Sequence, residues 1–292
     1  MRKGSDIMWK QQIISTKRGT FELFTKGNGE PLCMTHHYSQ FNETGDYFAD
    51  VFTSTHRVFL INLRDAGNSV KAKVENELSM IETIHDLEAI KEALQFSTWH
   101  FAGHSTGGVL GLLYAITYPE SLQSLVVVGA AASNYTETPF CIYHPAHPQF
   151  HYMQELIENL TSPHLTSEER KELSTKRTKL SLYIPEHYES YFYKPIHKSM
   201  SANRMNAFNK EYPYFNLRDS LSSIQTKTLI TCGRHDIQCP IQYSIEMHEG
   251  IRNSIFVSFE DSNHYPFLEE AAHFTSTIQE FYKSLRQENT CL

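Results

Sequence analysis

Two stretches of this chain, RVFLINL at 57–63 and SLVVVG at 124–129, are apolar almost without interruption and rich in β-branched residues. A strand with one face in water alternates polar and apolar residues, whereas a strand with no polar side is covered on both faces. Between these runs the period changes. Met80, Ile81, Ile84, Leu87, Ile90 and Leu94 recur every three or four residues, which predicts a helix over 77–96. A strand at 98–102 and a helix at 107–117 follow. Strand, helix, strand, helix in this order is the signature of a parallel sheet with helices packed on its faces. Upstream, 11–16 and 20–25 read as two strands joined by Lys17-Arg18-Gly19, and 31–35 as a third short strand.

The alternation stops at 133 and resumes with a strand at 226–232, a helix at 240–250, a strand at 254–259 and a closing helix at 269–285. The interruption of roughly ninety residues is too long for an ordinary connection. It is rich in tyrosine and holds charged helical stretches such as 168–180. The predicted organisation is an α/β core, 10–132 and 224–288, with a helical cap at 133–223 inserted after the sixth strand.

Charge and composition exclude several functions. Lys and Arg number 26 against 33 Asp and Glu, a net charge of −7, without the basic face of a nucleic-acid binder. No apolar run approaches the roughly 18 residues of a membrane-spanning helix. The basic residues near the start precede no apolar block, so no secretory signal is expected, and Met8 offers an alternative start. The five cysteines, Cys33, Cys141, Cys232, Cys239 and Cys291, are scattered and form no CxxC. That usage fits a reducing cytoplasm rather than a disulfide framework.

The strongest local signal is Gly103-His104-Ser105-Thr106-Gly107, a G-x-S-x-G placed between a strand and a helix. A serine on so sharp a turn needs small neighbours, and the following helix aims its first amides at the serine. A hydroxyl attacks only when a base takes its proton, and the base needs an acid to orient it. In this architecture the acid and then the base follow the serine in the chain. Asp236 lies just past the strand ending near 232, and His264 just past the strand ending near 259. Strand ends share one rim of an open sheet, so Ser105, Asp236 and His264 can converge there. His235 and Asp261 are the rivals for base and orienting acid. The oxyanion donors are expected to be the backbone amides of Thr106 and Tyr38, the latter in the loop after the third strand. A metal site from His144, His147 and His151 is disfavoured, because Pro145 and Pro148 spoil a regular face and no H-E-x-x-H is present.

The segments PLCMTHHY (31–38), NLRDAGNS (62–69), GHSTGG (103–108), CGRHD (232–236) and SNHYPFLEE (262–270) together resemble the α/β-hydrolase fold with a cap, over about residues 12–285. Within that superfamily the chain looks most similar to the proline iminopeptidase and related esterase branch. The resemblance implies a serine hydrolase with Ser105, Asp236 and His264 as triad, needing no metal and no cofactor. It would act through an acyl-enzyme on a carboxyl ester or aminoacyl amide of a small molecule or short peptide. A non-catalytic small-molecule receptor on the same scaffold is the alternative. The chain departs from the family's usual segments. His37 stands where a glycine is common, Asn62 and Asp65 replace an aspartate and a glycine, and Thr106 stands where proline iminopeptidases often carry tryptophan. Acidic cap residues available to hold a substrate's amino group are Glu155, Glu158, Glu186, Glu189 and Glu211.

Overall fold

A computed structural model describes residues 8–162 and 164–290; Cys291 and the residues before Met8 lie outside the described residues. Eight strands form one sheet: β1 (Lys10–Thr16), β2 (Gly19–Lys26), β3 (Glu30–Met34), β4 (His56–Ile61), β5 (Trp99–His104), β6 (Leu122–Val128), β7 (Lys227–Gly233) and β8 (Ser254–Phe259). Their spatial order is β1-β2-β4-β3-β5-β6-β7-β8. Only β2 runs against its neighbours; every pairing from β4 to β8 is parallel.

The uninterrupted apolar runs are explained by what lies on each side. In β6, Leu125 and Val127 enter one core and Val126 and Val128 the other, all with no exposure. In β5, Trp99 and Phe101 face the first core and Ala102 the second. One core is closed by helices α1 (Met80–Ala93) and α2 (Thr106–Thr117), the other by the C-terminal helix, which begins at Ala271. Each fully buried valine or leucine contributes roughly 1.5–3 kcal/mol.

Between β6 and β7 the chain forms three longer helices, α3 (Phe150–Leu160), α4 (Ser167–Lys179) and α5 (Ala202–Glu211). Helix α6 (Ile241–Gly250) and α7 (Ala271–Thr290) complete the core. The inserted segment touches the sheet domain through a two-residue ladder, Ser39–Gln40 against Ser199–Met200. It also carries a buried arginine into the domain. The Arg204 guanidinium donates to the His37 carbonyl, to the Arg64 carbonyl at 3.1 Å and to Thr83 Oγ1 at 2.8 Å. Sequence reasoning reads a charged residue in such a helix as solvated; here it is fully enclosed.

Strand register fixes the rim. His104 pairs with Val128, Val128 with Thr231, and Cys232 with Ser258. The residues that follow β5, β6, β7 and β8 therefore emerge side by side at the carboxyl edge.

Candidate active site

Ser105 sits at that edge with φ 55° and ψ −126°, a conformation that few side-chain-bearing residues adopt. Its amide donates to the Val128 carbonyl at 2.8 Å, and its carbonyl accepts from Gly108 at 2.9 Å. The flanking glycines leave no room for alternatives. A Cβ on Gly103 would lie 2.2 Å from the Gly107 carbonyl, and one on Gly107 would lie 2.3 Å from the Thr35 oxygen. The serine caps α2, so Thr106 is the first helical residue and its amide has no acceptor within the helix.

Asp236 and His264 meet across the neighbouring loops. Asp236 Oδ2 lies 2.8 Å from His264 Nδ1, and both side chains are almost completely buried. The other carboxylate oxygen, Oδ1, accepts from the amides of Gln238 at 2.9 Å and Cys239 at 2.8 Å. With Nδ1 committed to the carboxylate, the imidazole is left with Nε2 as its free nitrogen. The pair lies beside the end of β6: a Cβ on Gly129 would stand 2.9 Å from Asp236 Oδ2 and 3.3 Å from His264 Nδ1. Since Ser105 bonds to Val128, the residue before Gly129, the three candidate groups occupy adjoining strand ends. The rivals lie elsewhere. Asp261 is exposed, and His235 is exposed and stacked on Tyr183 with ring centroids 4.4 Å apart.

Gly129 also has φ 51°, so it combines a left-handed backbone with a position against the Asp–His pair. Gly129→Ala is expected to lower kcat about 10²-fold, because displacing a reacting group by an ångström costs that much. Steady-state rates beside a thermal melt check this. A folded variant with unchanged kcat would show that the pair tolerates the intrusion.

The loop of Tyr38 is pinned against the nucleophile's helix. The His37 amide donates to Thr106 Oγ1 at 3.2 Å, and the Tyr38 carbonyl accepts from Ser201 at 2.8 Å. The Tyr38 amide itself has no hydrogen-bond acceptor among the described residues. His36 bonds through Nδ1 to Ser39 Oγ at 2.9 Å; burial, reinforced by Lys198, His264 and Arg177, pushes its imidazole well below the usual range. His37 is fully buried against Phe208, and neither ring nitrogen has a partner among the described residues. Burial first, and then Arg204, holds it neutral.

Several supporting groups were not predicted. His104 packs on the His264 ring at 4.5 Å and bonds through Nε2 to the His264 carbonyl at 2.8 Å. Burial keeps its imidazole neutral, so Nε2–H is the donor. Glu269 accepts from the amides of Asn263 and Tyr265, each at 3.0 Å, and from Tyr183 of the inserted segment. Ser181, also in the insertion, accepts the His264 amide on its carbonyl at 3.2 Å, and its Oγ accepts from Gln238 Nε2 at 2.8 Å. A glutamate so close to the histidine loop is a local signal; the serine gives none.

Metal-binding side chains converge at a different place. Glu30, His56 and His100 bring ligand atoms within 4.8 Å of one another at the opposite rim of the sheet, where β3, β4 and β5 begin. His144 and His147 instead accept amides of their own turns, from Ala146 and Gln149.

A family profile for the alpha/beta hydrolase fold matches residues 27–271. The chain belongs to the alpha/beta hydrolase fold family. A solved alpha/beta fold family hydrolase from Bacillus anthracis str. Sterne is 42% identical, with a TM-score of 0.91 over 94% of this chain and 99% of that one. Two curated relatives are more distant. The 2-hydroxy-6-oxo-6-phenylhexa-2,4-dienoate hydrolase of Comamonas testosteroni is 22% identical over 88% of this chain and 89% of its own length. The proline iminopeptidase of Lactobacillus helveticus is 26% identical over 77% and 79%. This alpha/beta hydrolase has no helix, among its described residues, long and apolar enough to cross a membrane.

Proposed function

We propose that the protein is a serine hydrolase that cleaves carboxyl esters of small molecules through an acyl-enzyme. The observation that carries the reading is the Asp236–His264 pair beside a serine held at φ 55°. In the first step His264 Nε2 takes the Ser105 hydroxyl proton as Oγ bonds to the carbonyl carbon. The amides of Thr106 and Tyr38 hold the oxyanion. The imidazolium, steadied by Asp236, then protonates the leaving oxygen as the bond to it breaks. Water enters, gives its proton to His264 and attacks the acyl-enzyme; collapse returns the proton to Ser105 and releases the acid. Nothing in this scheme calls on a metal or cofactor. The four described cysteines are free, which suits work in a reducing cytoplasm.

The aminopeptidase reading has weaker support. It needs a carboxylate facing the site to hold a substrate ammonium group. Glu155, Glu158, Glu186 and Glu189 are exposed, and Glu211 accepts the Met80 amide at 2.9 Å. The test is a panel of acyl esters and of prolyl and other aminoacyl arylamides, the latter with free and acylated amines. Turnover of esters, with arylamides inert, is the expected result. Arylamide cleavage lost on acylating the amine would establish the aminopeptidase instead. Ligand binding with no labelling of Ser105 by an organophosphonate would favour a receptor.

A further inference from the structure

The sheet face under the C-terminal helix is apolar along most of its length. Leu32 and Met34 of β3, Val58 and Leu60 of β4, Ala102 of β5, and Val126 and Val128 of β6 all enter the same core. Side chains alternate along a strand, so Glu30, His56, His100 and Ser124 belong to this face as well. At the amino-terminal ends of four adjoining strands, a polar row thus replaces the apolar ones. Register draws the row together. Glu30 pairs with His56 on one side of β3, and Leu32, two residues on, pairs with His100 on the other. The ligand atoms of Glu30, His56 and His100 all lie within 4.8 Å of one another.

Both imidazoles are almost completely buried, and polar groups in an apolar setting are costly unless something binds them. His56 Nδ1 shares a 2.9 Å bond with Thr55 Oγ1, and His100 Nδ1 a 2.8 Å bond with Ser124 Oγ. An imidazole held at Nδ1 presents Nε2 in a fixed direction, which is how metal-binding histidines are oriented. His100 Nε2 lies 3.3 Å from Glu30 Oε2, and no hydrogen bond among the described residues engages His56 Nε2. The Tyr282 ring of α7 packs on both imidazoles, with centroids 4.2 and 5.3 Å away. A metal takes the neutral ring, and burial favours it here. Burial lowers the His56 pKa to about 4, and it keeps His100 low although Glu30 pulls the other way. Arg286, one turn beyond Tyr282, adds a positive charge felt by both rings, which the Glu30 carboxylate offsets.

We infer that Glu30, His56 and His100 form a site for a divalent transition ion of the zinc class, held by Nε2 of both histidines and by the Glu30 carboxylate. Two imidazoles and one carboxylate suit zinc, cobalt or nickel; calcium and magnesium prefer oxygen throughout. Ligand atoms around a tetrahedral zinc stand about 3.3 Å apart. The His100–Glu30 pair already has that separation, and the Glu30 side chain, 59% exposed, can turn at little cost. A fourth position is left for water. The role is structural. Five residues of strand separate His100 from Ser105, about 16 Å, so an ion at this rim cannot touch the reacting carbonyl. It clips β4, β3 and β5 together beneath α7. The inference does not depend on the ester-hydrolase reading.

The test takes the full chain, freed of metal by chelation, and titrates it with zinc chloride or cobalt chloride alone. Calorimetry should give a saturable site with a micromolar or tighter Kd. The melting temperature should rise by about 5 °C at a hundredfold excess of zinc over Kd. Bound cobalt should show the visible absorption of a four- or five-coordinate ion. Glu30→Gln, at an exposed position, keeps the fold and should weaken binding about tenfold or more. Ser124→Ala removes only the hydroxyl behind His100 and should cost about 10–100-fold. His100→Gln should abolish the site; if it is insoluble, the Glu30 and Ser124 variants decide. His151→Gln, at an exposed histidine of the insertion, is the control and should bind as the wild type does. No saturable binding by the wild type overturns the inference. So does binding that Glu30→Gln and Ser124→Ala both leave intact, or that the control loses, since the ion is then adventitious.

Discussion

Ser105→Ala should lower turnover of any accepted ester about 10⁶-fold, the scale seen when a serine nucleophile is removed from a complete triad. The figure follows from chemistry rather than stability. Ser105 is only partly buried and donates no side-chain cap to α2, so losing one hydroxyl removes little packing. The strained backbone is retained, because alanine meets the same φ penalty as serine. Melting temperature should therefore stay within a few degrees, and reversible binding of a non-hydrolysable ligand should persist. The residue left behind is catalysis by the Thr106 and Tyr38 amides acting on a bound ester and water. Single-turnover rates, with organophosphonate labelling of the wild type read by mass at Ser105, check the claim. A variant within tenfold of wild-type turnover would rule out Ser105 as the nucleophile.

The features that could be read from sequence are those whose cause is local. β6 was legible because burial on both faces leaves no polar position in SLVVVG, and α1 because its apolar residues recur with the helical period. The turn at Ser105 was legible because two backbone approaches of 2.2–2.3 Å forbid any side chain at Gly103 and Gly107. Asp236 and His264 could be found because each follows a strand end within a few residues. Arg204 could not. Helix α5 reads ANRMNAFNKE, and a charged residue among such polar neighbours gives no sign that it turns inward. That depends on how the insertion docks, through contacts more than a hundred residues apart in the chain. The burial of His37 is hidden for a related reason: the Phe208 ring and the Arg204 bond to its carbonyl, both from the insertion, enclose it.

The departures from the family's segments also have local physical answers. Asp65, standing where glycine is usual, has φ 64°, and aspartate is among the residues that tolerate this region. Its Oδ1 accepts the Ala72 amide at 3.1 Å, fixing the turn. Asn62 accepts the Phe41 amide at 2.7 Å and donates to Glu22 at 2.7 Å. An aspartate there would lack the donor and set two carboxylates against each other, so asparagine suits a site whose neighbour is Glu22. Burial works to raise the Glu22 pKa, but donors from Asn68, Asn62 and Gln11 outweigh it and hold the carboxyl below the ordinary range.

Asp236→Asn carries the second large effect, about 10⁴-fold in kcat, and the hydrogen bonds dictate its mechanism. Oδ1 accepts two backbone amides, from Gln238 and Cys239. An asparagine must keep its carbonyl oxygen in that position, since an NH₂ there would face two donors. The NH₂ is then forced toward His264 Nδ1, which can no longer donate and must accept instead. The imidazole proton moves to Nε2, the nitrogen that has to take the serine proton, and the base is disabled while the shape of the site is kept. Phosphonate labelling should slow in parallel with turnover, because both need the same proton transfer, whereas affinity for a reversible ligand should change little. Asp261→Asn, at an exposed carboxylate one loop away, is the matched control and should stay near the wild-type rate. If the two substitutions had equal effects, the orienting role of Asp236 would fail and the tautomer argument with it.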